Sequence, residues 1–228
     1  MTKRTKSEQR EGVRKQLKSP IRSFFGYDDL DDIKQCRNTG EPFLYIDHAY
    51  FDRGYELGNF RVIYNTIHQT KVFDYPDDRR KKFSVKLRDW QEFTDGRIVF
   101  IPSPKNPMAF HKDETWNNDA IDILVSKTDR DIYVKEIKTK GLGDSIKKCF
   151  ALVSHCSVAA VEAACHGVPV VCPEVSPAYH VGVGLNDIEA PQRPDRNKWV
   201  NTLTYSQFTL EELRSGYAWD IIKEMNNL

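Results

Sequence analysis

Ser154-His155-Cys156-Ser157 is the stretch of this chain whose residue types most directly suit chemistry. It puts two hydroxyls and an imidazole between the apolar run Phe150-Ala151-Leu152-Val153 and the small residues of Val158-Ala159-Ala160. An apolar run followed by an Ala-rich stretch reads as a buried strand turning directly into a helix. Such a junction offers backbone N–H groups and the positive end of a helix dipole, which suit an anion such as phosphate. The hydroxyls of Ser154 and Ser157 and the ring of His155 would add donors. Glu162, one turn and a residue beyond Ser157, is placed to meet a ribose or sugar hydroxyl. The plainer account is that Ser157 caps a helix and Glu162 faces water. The residues alone leave both open.

Ligands of open α/β sheets bind beyond the carboxyl ends of the strands. The other strand ends in this half carry Ser103 and Lys105, then Lys135 and Lys138, then Pro173 to Ser176. Lysines in those places suit a diphosphate, against the plainer reading of a solvated edge. The chain has no G-x-x-x-x-G-K-[ST] and no G-x-G-x-x-G, which disfavours a P-loop kinase and an ordinary NAD enzyme.

The amino-terminal half places Asp47-His48-Ala49-Tyr50-Phe51-Asp52-Arg53-Gly54 after another apolar run, Pro42 to Ile46. Asp47 or His48 would serve as a general base toward an acceptor hydroxyl. Tyr50 and Arg53 stand beside them. Asn65 and His68 hold the equivalent place after the next strand and would line the same cleft. A histidine hydrogen-bonded beneath a loop is the plainer account of His48. Asp47, His48 and His68 lack the spacing of a metal site, so no metal is expected.

These residues need elements to position them. From Arg97 onward the pattern predicts strands at 97–102, 131–135, 150–154 and 168–172, with helices at 118–127 and 157–165 between them. Two final helices fall at about 195–204 and 209–225. Strands alternating with helices imply an α/β fold: a Rossmann-type parallel sheet with helices on both faces. Upstream, a helix at 28–37 precedes strands at 42–47 and 60–65. The charged stretch 74–96, with Pro76 and Gly96, marks a boundary. The expected division is a flexible basic arm (1–22), a small α/β lobe on the acceptor side (23–90), and a Rossmann-like lobe with the C-terminal helices (91–228).

The length of 228 residues allows one large domain or two small ones, with a real core. A hydrophobic content of 39% with 29% charged residues excludes collagen-like, disordered and coiled-coil classes. No apolar run approaches the roughly 20 residues of a membrane span. The amino terminus lacks the apolar segment of a signal peptide, so a cytoplasmic location is expected. Residues 1–22 carry a net +6 and the remainder −5. Such an arm suits nucleic acid or an acidic partner, and a solvated terminus is the plainer alternative. The five cysteines, odd in number and without C-x-x-C spacing, read as small buried hydrophobes.

Several segments together resemble a phage and proteobacterial glycosyltransferase-like family. They are Tyr45-Ile46-Asp47-His48-Ala49-Tyr50-Phe51 with Arg53-Gly54, Phe60-Arg61-Val62, Val99 to Pro104, and Thr128-Asp129-Arg130. Leu152 to Ser157 with Glu162-Ala163, Gly167-Val168-Pro169-Val170, Trp199, Tyr205 to Thr209 and Ser215-Gly216 to Trp219 complete the pattern, which spans about residues 40–222. The second half is also similar to the donor lobe of GT-B glycosyltransferases. The resemblance implies a GT-B-like fold with a short N-terminal lobe and a metal-independent transferase that takes a nucleotide sugar as substrate, without a cofactor. Its donor phosphate would lie on Ser154, His155 and Ser157, with Glu162 on the nucleotide or sugar and Ser103 in a second nucleotide-contacting loop. Lys135 and Lys138 fall near basic positions of the family, but Asp131 replaces its proline and Glu136 intervenes. The implied acceptor is a hydroxyl of a modified base in phage DNA, with the basic arm on the backbone, or of a glycan. The location would then be the host cytoplasm. Two alternatives stay open: a non-catalytic GT-B-like protein that binds nucleotide or nucleic acid, and a nucleotide-sugar epimerase.

Overall fold

The structure is a computed structural model, and it describes residues 5–53, 58–135 and 142–228. In chain order the elements are α1 (Lys6–Arg14), β1 (Arg22–Phe25), α2 (Leu30–Thr39), β2 (Phe43–His48), β3 (Asn59–Tyr64) and α3 (Asp78–Lys82). Then come β4 (Arg97–Ile101), α4 (Lys105–His111), α5 (Trp116–Lys127), β5 (Ile132–Val134), β6 (Cys149–Ser154), α6 (Val158–Cys165) and β7 (Val170–Val171). The chain closes with α7 (Asn197–Tyr205), β8 (Gln207–Thr209), α8 (Leu210–Ser215) and α9 (Tyr217–Asn226).

These elements form two compact units. Unit 1 holds Met1–Gln69, Phe73–Val85 and Val200–Leu228, and unit 2 holds Thr70–Val72 and Lys86–Trp199. The expected boundary near residue 90 is therefore corrected at both ends. Residues 200–228 belong with the amino-terminal half because β8 pairs antiparallel with β3, setting Phe208 opposite Phe60. Residues 86–90 belong with unit 2, where the Arg88 N–H donates to the Cys165 carbonyl at 2.9 Å.

Unit 2 matches the expected α/β architecture. Its sheet has the order β5-β4-β6-β7 with every pairing parallel. Alternation along β4 sends Ile98 and Phe100 to one face, against Trp116, Ala120 and Leu124 of α5. Val99 points the other way and is also fully buried. A sheet buried on both faces explains the near-continuous apolar runs of β4 and β6.

Unit 1 is built differently. Its sheet has the order β1-β2-β3-β8, with β1 parallel to β2 and the other pairings antiparallel. Leu44, Ile46, Phe60 and Val62 line one face and pack against Phe208, Leu213 and Ile222. The single helix expected over 209–225 is two, because Gly216 adopts φ 93°, a left-handed conformation that ends α8 and starts α9 in a new direction. The arm expected to be flexible contains α1, whose Thr5 and Glu8 form a reciprocal capping box and whose Val13 enters the unit 1 core.

All five cysteines are buried. Burial pushes the thiols of Cys149 and Cys172 up to about 12, so both are uncharged at neutral pH.

Candidate functional site

The order β5-β4-β6-β7 places the first strand of unit 2 between the second and the third. The connections leave β4 to one side and return to the other, so the sheet has a topological switch point between β4 and β6. In such sheets the crevice beyond the carboxyl ends of these two strands is the binding position. The residues that follow them are Pro102-Ser103 and His155-Cys156-Ser157.

The turn after β4 is held by α5. The Ser103 N–H donates to Asn117 Oδ1 at 2.8 Å, and Asn117 Nδ2 donates back to the Ser103 carbonyl at 2.9 Å. Lys105 opens α4 and is exposed. Lys135 is buried, and its N–H extends the β5 ladder by donating to the Phe100 carbonyl at 2.9 Å. Lys138 lies outside the described residues.

At the β6–α6 turn, Ser157 is the N-cap of α6, its Oγ accepting from the Ala159 N–H at 3.1 Å. It is the partly exposed hydroxyl of the turn. Ser154 and His155 are fully buried beneath it. The Ser154 Oγ and the His155 Nδ1 have no hydrogen-bond partner, an uncommon state for buried polar atoms. His155 Nε2 stands 3.2 Å from Asp113 Oδ2, within reach of that carboxylate. The ring packs against Trp116, with centroids 5.1 Å apart, and against His111 at 5.6 Å. Trp116 in turn stacks on Phe100 at 5.6 Å. Burial pushes the His155 imidazole below its ordinary range, with the Asp113 carboxylate opposing that shift. Glu162 is partly buried in the middle of α6.

Ser103, Ser154, His155 and Ser157 thus fall at the two strand ends of the switch point. Asp113, Trp116 and Asn117 were not selected from the sequence. They sit on the α4–α5 segment, and only the fold brings them to the ends of β4 and β6.

In unit 1 the candidate base residues separate. Adjacent residues of a strand face opposite ways, so Asp47 and His48 lie on opposite sides of the sheet. Asp47 meets Arg61: Nη2 of Arg61 donates to Oδ2 at 2.7 Å, and the Tyr45 hydroxyl donates to the same oxygen at 3.2 Å. The other carboxylate oxygen accepts the His48 N–H at 2.7 Å. Arg61 also donates to the carbonyls of His48 and Ile67 and lies 5.5 Å from the Tyr50 ring centroid. The Tyr50 hydroxyl accepts the Gln69 N–H at 2.8 Å, and its ring lies 6.1 Å from that of His68, which is buried. On the other face, the half-buried His48 ring lies between Phe25 and Phe60, at 6.3 and 6.4 Å. Burial holds its imidazole below the ordinary range, so it is neutral at pH 7. Asn65 adopts φ 57° and closes the sheet end, its Oδ1 accepting the Phe43 N–H at 2.9 Å. Arg53 is exposed.

The basic arm meets the chain's own carboxylates. Arg10 pairs with Asp28, Arg14 with Glu11 and Asp29, Lys15 with Glu11, and Arg22 with Asp32.

Val125–Arg130 and Glu189 line an open depression of about 480 Å³. It precedes β5 and so lies away from the carboxyl ends of the strands. Its Arg130 is committed to structure, with Nε and Nη2 each 3.0 Å from a Glu189 oxygen and the guanidinium 3.6 Å from the Phe150 ring centroid.

Among the described residues, no group of three His, Cys, Asp or Glu side chains is arranged to hold a metal ion. No described helix is long and apolar enough to cross a membrane. Compared with protein-family models and with curated proteins, the chain matches none.

Proposed function

We propose that this chain is a nucleotide-sugar-dependent glycosyltransferase of GT-B-like organisation, with unit 2 as its donor-binding half. The observation that carries the reading is the switch point between β4 and β6, where buried Ser154 and His155 leave polar atoms unpaired beside the capped start of α6. An unpaired buried polar group costs about 1–3 kcal/mol, which hydrogen bonds to a bound donor would offset. The positive end of the α6 dipole and the Ser157 hydroxyl suit a diphosphate, and they would stabilise it as it leaves the sugar. In the transfer, the acceptor oxygen bonds to the anomeric carbon, the bond to the diphosphate oxygen breaks, and the acceptor proton passes to a base. Unit 1 supplies the acceptor groups in this reading. His48, neutral at pH 7, is better suited to accept that proton than Asp47, which is bound to Arg61.

A second reading, a non-catalytic nucleotide-binding relative, is favoured by that same engagement of Asp47 in structure. The deciding experiment is a thermal-shift screen with UDP, CDP, GDP, dTDP and CMP and their sugar conjugates. A ligand at 100 times its Kd stabilises by about 2.7 kcal/mol. A selective shift that Ser157→Ala removes, with donor turnover that His48→Ala abolishes, supports the transferase. A shift without turnover supports the second reading, and no shift with any of them refutes both.

A further inference from the structure

We infer that His155, paired with Asp113, takes up a proton when a phosphate anion binds at the β6–α6 turn, so that anion binding at this site is proton-linked. The inference deepens the donor-site reading and rests on it.

A neutral imidazole carries one N–H and one lone pair. The Asp113 carboxylate, 3.2 Å from Nε2, favours the hydrogen on that nitrogen. The lone pair then falls to Nδ1, which is fully buried and has no donor facing it. In this state the ring offers nothing to an anion. Protonation puts an N–H on both nitrogens, leaving one for Asp113 and giving the other side of the ring a donor and a positive charge. Among the described residues, the titratable groups shown in contact with the ring are Asp113, from the segment after α4, and His111, from the end of α4. Trp116 of α5 and Ser154 of β6 add no charge. In the free protein one carboxylate, 40% exposed, opposes the desolvation of the ring, and desolvation prevails. A phosphate dianion at the turn adds a second negative charge, and the balance moves to the cation. The proton comes from the solvent.

By linkage, affinity for the anion increases as pH falls from above the bound-state pKa to below the free-state pKa. The Asp113 carboxylate tightens binding although it is itself negative, because it holds the proton on His155. An acidic residue beside a phosphate site would ordinarily weaken it.

The test is an imidazole NMR titration of the full chain, with and without saturating inorganic pyrophosphate. The His155 resonance is assigned by its loss in His155→Gln. Backbone amide shifts of residues 157–160 report binding independently. The expected result is a His155 midpoint raised by at least about one pH unit, a tenfold change in proton affinity. In Asp113→Asn the free midpoint should fall and pyrophosphate should bind more weakly. If His155→Gln does not fold, the resonance displaced in Asp113→Asn, a partly exposed site, supplies the assignment. Amide shifts with an unmoved His155 midpoint would overturn the inference and leave the donor site standing. Amides that do not move at all would remove the donor-site reading, and this inference with it.

Discussion

Asp47 and Arg61 form a 2.7 Å ion pair whose guanidinium is buried in unit 1. Arg61 also donates to the carbonyls of His48 and Ile67, so the pair joins β2, β3 and the segment after β3. Removing one partner of a buried pair leaves an uncompensated charge. Asp47→Asn should destabilise the protein by about 3 kcal/mol, read as a lower urea midpoint with unchanged slope. Any loss of activity in that variant has to be measured where it is still folded, since a structural defect imitates the loss of a base.

Glu212 sets an acid limit on stability. Burial raises its pKa, but hydrogen bonds from Arg79, Lys82 and the Thr209 N–H prevail and bring it to about 2, from an ordinary 4.5. A carboxyl whose folded pKa is depressed stabilises the fold above its unfolded value. That contribution, about 3 kcal/mol, should be lost as pH falls from 4.5 toward 2. Glu212→Gln should lose a similar amount at pH 7 and show a flatter stability profile across that acid range.

Ser157 has two separable roles. Ser157→Ala removes the cap on α6 and should cost about 1 kcal/mol without ligand. Ser157→Asp keeps a capping oxygen and should retain stability, while its charge repels phosphate. Nucleotide-induced thermal shifts should vanish in Ser157→Asp although its unliganded Tm stays near that of the wild type. Retention of the shift would show that the anion binds elsewhere.

Gly167 ends the α6 region at φ 81°, and a Cβ there would lie 1.9 Å from the Asp89 carbonyl oxygen. The residue's own carbonyl accepts the Gln91 N–H, so the segment before β4 lies directly on this turn. Gly167→Ala combines backbone strain with a steric clash and should cost more than about 2 kcal/mol in urea unfolding.

The arm should bind DNA less strongly than its charge suggests. Arg10, Arg14 and Arg22 are already paired with Asp28, Asp29 and Asp32. Exposed pairs of this kind are worth about 0–1 kcal/mol each and are screened by salt. Replacing the three aspartates with asparagine should tighten non-specific DNA binding and steepen its salt dependence. Unchanged binding would show that the arm takes no part.

Local pattern was enough to read most of unit 2. The apolar runs of β4 and β6, the Ala-rich α6 and the stop at Gly167 all depend on neighbours a few residues away, and that periodicity is written along the chain. Parallel strands joined by helices then follow from the alternation. The same local reading placed Ser157 at a helix start. The short elements β1, α3, α4 and β8 were not legible, because their few residues carry at most about two periods of pattern.

What only the tertiary structure decided was pairing at a distance. The strand β8 reaches β3 across most of the sequence, so the last residues leave the lobe they follow and complete the other. Asp47 looked like a base because Arg61 is remote in sequence, and the antiparallel register of β2 and β3 sets the two opposite each other. Asp113 showed no signal, since its contact with His155 arises only where the α4–α5 segment folds over the end of β6. Residue type and spacing specify what a side chain offers. Which partner takes up that offer depends on long-range register and burial, and no local window contains them.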